Sequence, residues 1–309
     1  MTLTAAAPQP APSGSTGSPP PRRQRPGKRK SSLLSILLIL CALYFLTPLV
    51  WLFISTTKTN SDLFNTFGLW IGTEFNLIEN LRAVFSYNGG IFWRWILNTI
   101  LYAVVTAFIT SLICMMAGWV FAKYTFPGKR LAFSVILGAV MIPLTAIAVP
   151  TYLLFSYIQV VNTPWAVILP SLVNPLGVYL MMIYAQDAVP DSLVEAARID
   201  GAGEFRILFR VCFPMLIPGI VTVFLFALVG TWNNYLLPLI MLSDTGLFPL
   251  TVGVAQWQDL ATGGVATGGQ PLFAMVITAS GISVLPLIIA FLYLQRYWQS
   301  GLATGAIKA

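Results

Sequence analysis

Residues 33–54 read LLSILLILCALYFLTPLVWLFI, 22 consecutive positions with no charge and no alternation of polar with apolar side chains. A membrane β-barrel strand alternates over segments of about ten residues, and this run does not. An α-helix needs roughly 20 apolar residues to cross about 30 Å of hydrocarbon, and this run supplies them. Five further uncharged runs follow at 96–122, 131–158, 165–184, 213–242 and 272–294. Three of them, 96–122, 131–158 and 213–242, exceed a perpendicular crossing, so tilt or kinks are expected, with Pro143, Pro150 and Pro238 to supply the kinks.

The rest of the composition agrees. Of 309 residues, 57% are hydrophobic and 9% charged, where a soluble domain carries about 25% charged residues. The first run is not read as a cleaved leader, because 32 residues precede it, it exceeds an ordinary leader core, and no small-x-small site follows promptly. Lys and Arg sort onto one side. One set of alternate flanks holds 14 of them and the other only Lys58, Arg82 and Arg94, which predicts six transmembrane helices with both termini cytoplasmic.

Residues 1–32 are rich in Pro, Gly and Ser and end in a basic run, so this cytoplasmic tail is expected to be disordered. The basic run reads as a topology anchor for the first span, with lipid or partner binding as the sharper alternative. A six-helix transmembrane domain is expected over 33–294 and a short cytoplasmic tail over 295–309. Cys41, Cys114 and Cys212 share no CxxC spacing, and with no His in the chain a His/Cys metal site is excluded.

Between the fourth and fifth runs lies EAARIDGAGEFRILFRVCFPMLIPG, residues 195–219. Ser192 and Glu195 have capping-box spacing, which predicts a helix start near Ser192, and Gly201 should end that helix in a left-handed conformation. A second short helix is expected from Glu204, with Phe205, Leu208, Phe209 and Cys212 as one apolar stripe and a junction to the fifth span at Pro214. Such an elbow, with small residues at Ala196 and Ala197, suits a groove on a cytoplasmic partner. From the residues alone it equally suits a loop resting on its own bundle or on lipid.

The segment resembles the EAA loop of ABC-importer permeases: Glu195-Ala196-Ala197, then Asp200, Gly201 and Ala202, then Val211-Cys212-Phe213-Pro214 nine residues after the glycine. Val and Phe stand where the family pattern has Ile and Leu. Asn98-Thr99, AGWVFAKYTFPGKR at 117–130, TWNNYLLPL at 231–239 and QRYWQSGLATGAIKA at 295–309 extend the likeness to sugar-importer permeases of the maltose and glycerol-phosphate type. The resemblance implies the type I permease fold of such importers, with residues 186–212 as the loop that docks into a cytoplasmic ATPase. Glu195, Ala196, Ala197, Asp200, Gly201, Ala202, Phe205, Phe209 and Pro214 would carry that coupling. It also implies a second permease in a heterodimer, two ATP-binding cassette subunits and an extracytoplasmic sugar-binding protein, with no nucleic acid as a partner.

The chain has no G-x-x-x-x-G-K-[ST] phosphate loop; at Gly128-Lys129 the earlier glycine position holds Lys123. ATP and magnesium are therefore expected on the partner ATPase and no cofactor on this chain. The runs contain no ionisable residue of the kind that marks proton and cation pathways, which lowers the alternative of an ion-coupled secondary transporter for a small neutral solute. A sodium site of backbone carbonyls leaves that alternative open. No HExxH, GxSxG or paired intramembrane carboxylates point to an enzyme.

For the solute path, Asn98, Asn174, Asn233 and Asn234 offer neutral hydrogen bonding beside the aromatic faces of Trp232 and Tyr235, although Asn in a membrane helix more often joins helices together; Asn98, Trp232, Asn233, Asn234 and Tyr235 are the residues selected. The loop DLATGGVATGGQP, 259–271, holds Gly263, Gly264, Gly268 and Gly269, and the resemblance suggests that it meets the binding protein. The segment 56–94 is expected to carry a short surface helix without an assigned role.

Overall fold

The computed structural model describes residues 32–263 and 272–305, and among them every regular element is helical. The tail up to residue 31 and the predicted contact glycines Gly264, Gly268 and Gly269 lie outside the described residues. Helix α1 (Ser32–Ser55) is apolar on all sides. Its stretch up to Thr47 is one unit, and the chain from Pro48 onward forms a second compact unit.

In that second unit two short helices, α2 (Asn60–Asn65) and α3 (Leu77–Ser86), precede the long α4 (Ile91–Lys123). One face of α4 is buried over its whole length through Phe92, Trp95, Thr99, Tyr102, Thr106, Thr110, Cys114 and Gly118. This spacing of three and four residues keeps one stripe against the core. α4 is the central post, with α8 and α11 packed along it. Gly118 makes one of these approaches possible: a Cβ added there would lie 2.6 Å from the Met181 Cβ on α8. Small residues allow such close backbone contact in membrane bundles.

Among the described residues four helices are long and apolar enough to cross a membrane, or five if one bent pair counts as a span. The uncharged runs are less continuous than expected. Run 131–158 is two helices, α5 (Lys129–Ala139) and α6 (Leu144–Tyr157). The amides just past α5, at Val140, Met141 and Ile142, donate to carbonyls three residues back, and Pro143, which has no N–H, starts α6 from an extended backbone. Pro150 sits inside α6 without ending it.

Run 165–184 is also split, into α7 (Pro164–Ser171) and α8 (Pro175–Ala188), which meet at 43°. Asn174 caps α8 by accepting the Gly177 amide at 2.8 Å, and Pro175 occupies the first turn, where no amide is needed. After α9 (Asp191–Ile199) and α10 (Glu204–Arg206), the chain continues into α11 (Phe213–Trp232) and, after a break, α12 (Leu236–Met241). The kink expected at Pro238 falls one turn earlier, at 233–235. Pro238 cannot donate to the Asn234 carbonyl four residues back, and the Thr251 hydroxyl donates to that carbonyl instead at 2.7 Å.

α13 (Leu250–Thr262) and α14 (Leu272–Gly305) complete the bundle and pack on each other, and α14 also packs on α11. α14 runs without interruption past residue 294, so the predicted tail begins as the last turns of this helix.

Candidate functional site

The elbow is built from its turn outward. α9 ends at Gly201, whose φ is 78°. The Gly201 amide donates to the Arg198 carbonyl and the Ala202 amide reaches back to the Ala197 carbonyl, both at 3.0 Å. These two bonds form a Schellman motif, which favours glycine at the left-handed position. The predicted left-handed helix stop is present.

The predicted capping box is not. α9 starts at Asp191 behind an extended Pro190, and no side chain caps it. Ser192 is thereby moved into the first turn, and the Glu195 side chain is exposed instead of folding back. Asp191 spends its carboxylate on another helix: Lys123 at the end of α4 reaches it at 2.7 Å and donates to the Val189 carbonyl at 2.5 Å.

The second arm also differs from expectation. The helix from Glu204 runs straight into α11, with a π turn at Ile207–Cys212. The wider turn accommodates Pro214, whose ring conflicts with a carbonyl four residues back in regular α geometry. It also divides the expected stripe. Ile207, Leu208 and Cys212 go into the core, while Phe205 and Phe209 stay outside, stacked with ring centroids 6.5 Å apart. The uncovered side of the elbow thus holds Ala196, Ile199, Phe205 and Phe209, with Arg206 and Arg210 exposed beside them.

A second tie holds the elbow to α4. Glu204 accepts a hydrogen bond from the Tyr124 hydroxyl and pairs with Arg198 at 2.8 Å, and the Arg198 guanidinium lies 5.7 Å from the Tyr124 ring centre. The Arg198 hydrogen bond, then that of Tyr124, holds the Glu204 carboxyl below its usual range against a small opposing effect of burial. Asp191 is lowered by its hydrogen bond to Lys123 and by the ammonium charge. Spacing along the chain carried no sign of Lys123 and Tyr124, because they join the elbow only through the packing of α4.

The predicted solute residues do not form one surface. Asn98 donates to the Gly246 and Phe248 carbonyls at 2.9 and 3.1 Å and so ties the turn before α13 to α4. Trp232 is buried and donates to the Ser283 carbonyl of α14 at 3.2 Å. Trp232, Asn233 and Tyr235 together line a cavity of about 360 Å³ with Thr251, Gln258 and Ser280. Asn234 faces a different cavity of about 320 Å³, bounded by Thr151, Asn174 and Thr231 and by the broken ends of α7 and α11. Thr151, Thr251 and Gln258 are polar wall residues that the run-by-run reading of a solute path did not select. Gly263 is the C-terminal cap of α13. Among the described residues no group of three or more His, Cys, Asp or Glu could hold a metal ion.

A bundle of apolar helices, two of them interrupted beside a shared cavity, defines a polytopic membrane protein of transport type. Residues 114–303 match the family described as binding-protein-dependent transport system inner membrane component. The arabinooligosaccharides transport system permease protein AraQ of Halalkalibacterium halodurans is 30% identical over 287 residues, which cover 91% of this chain and 99% of that one. The lactose transport system permease protein LacG of Rhizobium radiobacter is 27% identical over 292 residues, 93% of this chain and 98% of its own. In fold, a chain from a bacterial ABC transporter involved in import of the acidic polysaccharide alginate superposes with a TM-score of 0.73 at 24% identity, over 86% of this chain and 95% of that one. The chain belongs to the binding-protein-dependent transport inner membrane component family and is an ABC transporter permease, a multi-pass protein of the inner membrane.

Proposed function

We propose that this permease forms one half of the import path for an uncharged sugar or sugar derivative, crosses the membrane six times with both termini cytoplasmic, and takes its energy from separate ATPase subunits. Its partners are a second permease, two ATP-binding cassette subunits that carry ATP and magnesium, and an extracytoplasmic sugar-binding protein. The observation that carries the reading is the elbow. Ala196, Ile199, Phe205 and Phe209 form an uncovered, largely apolar face on a turn held by the Gly201 motif. The opposite side is tied to α4 at both arms, through Asp191 and through Glu204.

A partner pressing on that face moves α4 and α11 together, because α11 continues directly from the second arm. In this account Glu195, Asp200, Ala197 and Ala202 belong to the docking surface or its support, and Pro214 marks the junction to α11. The substrate class is supported by the sugar-transporter names of the relatives and by cavity walls that carry amides, hydroxyls and Tyr235 without an ionisable carboxylate or amine. Hydrogen bonds from neutral groups and a flat aromatic face suit a polyol. Asn233, Asn234, Tyr235 and Trp232 at the α11 break are the proposed pathway residues, with Asn98 bracing them from α4. Gly263 and the glycines after it are the proposed contact with the binding protein.

The test separates the energy sources. In proteoliposomes holding the full complex and ATP, uptake continues when proton and sodium gradients are dissipated. Uptake driven by an ion gradient in vesicles that lack the ATPase overturns the reading.

A further inference from the structure

The segment that follows α1 inverts the polarity of a water-facing loop. Its two charges between residues 56 and 73, Lys58 and Asp62, are buried, with Lys58 only 1% exposed. The Lys58 ammonium donates to the Thr66 hydroxyl at 3.0 Å and to the Phe67 carbonyl at 2.9 Å. Asp62 accepts from the Thr73 amide at 3.1 Å and from its hydroxyl at 2.9 Å. Asn80, also buried, donates to the Thr56 and Lys58 carbonyls at 2.8 and 2.9 Å. Around this polar knot the large apolar side chains Phe64, Phe67, Trp70, Ile71, Phe75 and Ile78 are exposed, Phe67 and Trp70 both by 73%, and Glu74 is the one charged side chain exposed among them.

The height of this surface follows from its neighbours. Gly68 lies against Trp51, since a Cβ added there would be 2.8 Å from the indole nitrogen. Trp51 is about one helical turn inside the end of α1. The Asn60 side chain accepts the Ala274 amide in the first turn of α14 at 3.1 Å, and the Phe64 and Phe273 rings meet edge to face at 5.1 Å. The segment therefore doubles back beside the adjacent ends of two apolar helices.

We infer that Phe64, Phe67, Trp70, Ile71, Phe75 and Ile78 form an aromatic shelf lying in the lipid headgroup and upper acyl layer at the ends of α1 and α14, with the exposed Glu74 on its water-side edge. Trp and other aromatic rings are favoured at that depth, and a surface with Lys58 and Asp62 turned inward and its rings turned outward suits it better than water. Each ring carries about 150–250 Å² of surface. A soluble partner that comes and goes would leave this area in water between encounters, whereas lipid covers it throughout. The leaflet is the external one if the proposed topology holds. Contact with lipid can be read on either side, so the two proposals fail separately.

The experiment places single cysteines at Phe67, Trp70 and Phe75 in a Cys41→Ala background; Cys114 and Cys212 are fully buried and remain. Each variant is assembled with its partner subunits in nanodiscs and labelled with bimane. The expected result is fluorescence quenched about twofold more strongly by lipid brominated near the headgroup than by aqueous iodide. Quenching by iodide without quenching by lipid shows a water-facing surface, and protection from both shows a covering protein subunit; either result overturns the shelf. Three positions guard against one label disturbing its own site.

Discussion

At Gly201 a backbone requirement can be separated from a packing requirement. An added Cβ there meets nothing within 4 Å, yet φ is 78°, so the cost of a side chain is strain, about 1–3 kcal/mol for a β-branched residue. Gly201→Val is expected to insert and assemble its helices, while cross-linking of an Ala197→Cys probe to the ATPase weakens and uptake falls at least several-fold. Gly201→Asn should lie between the two, because Asn visits the left-handed region more readily. Wild-type cross-linking and uptake in Gly201→Val would mean that the turn has no part in coupling.

Glu204 makes a prediction in pH. Its carboxyl is held low chiefly by Arg198 and then by Tyr124. Its contribution is therefore complete above the ordinary carboxylate value, unchanged across neutral pH, and lost as pH falls through the lowered folded value. A spin-label distance between α4 and α9 should stay constant near neutrality and broaden only on acidification, and Glu204→Gln should broaden it at neutral pH. A distance indifferent to both changes would leave Lys123 and Asp191 as the only working tie.

At the scale of elements, the two glycines of this prediction differ only in their neighbours. Gly118 sits where a Cβ would come within 2.7 Å of the Met182 amide nitrogen, and Gly138 in α5 has open space around it. Gly118→Val forces α4 and α8 apart and should cost about 1–3 kcal/mol as overpacking, read as a lower Tm in detergent. Gly138→Ala should be neutral or gain about 0.5–1 kcal/mol from reduced backbone freedom. Equal melting temperatures for the two variants would mean that the α4–α8 contact is soft. The uncharged runs announced helices at every one of these places but not where the helices would stop. A missing amide at Pro143, Pro175 or Pro238 can be absorbed or can end a helix, and Thr251 and Asn174 show that the outcome depends on which partner takes up the freed backbone groups.

For the molecule as a whole, the open question of crossings rests on α5 and α6. With 11 and 14 residues, they span about 16 and 21 Å at 1.5 Å per residue. Neither crosses about 30 Å of hydrocarbon alone, and the two in series do. If they cross together, three crossings separate Glu74 from Asp200, and cysteines at these two positions should react with an impermeant maleimide from opposite sides of the membrane. Labelling of Glu74→Cys from outside intact cells, with Asp200→Cys protected until the membrane is opened, is the expected outcome. Labelling of both from one side would make the α5–α6 pair re-entrant and reduce the crossings.

The amino-acid sequence by itself determined the helical membrane class, the positions of the apolar runs and the left-handed stop at Gly201, because these depend on local quantities: transfer of uncharged side chains into hydrocarbon, and the φ angle one residue can adopt. The family likeness was likewise visible in the EAA pattern, which is a matter of spacing. Tertiary structure alone decided that α9 opens at Asp191, paired with Lys123, which leaves the Ser192–Glu195 capping box unformed, and that Tyr124 and Arg198 share Glu204. It also decided that Phe205 and Phe209 part from Leu208 and Cys212 across a π turn. Each of these outcomes is a competition for a partner supplied by a distant helix, and only when α4, α8 and α11 are packed together do the competing groups come within hydrogen-bond reach.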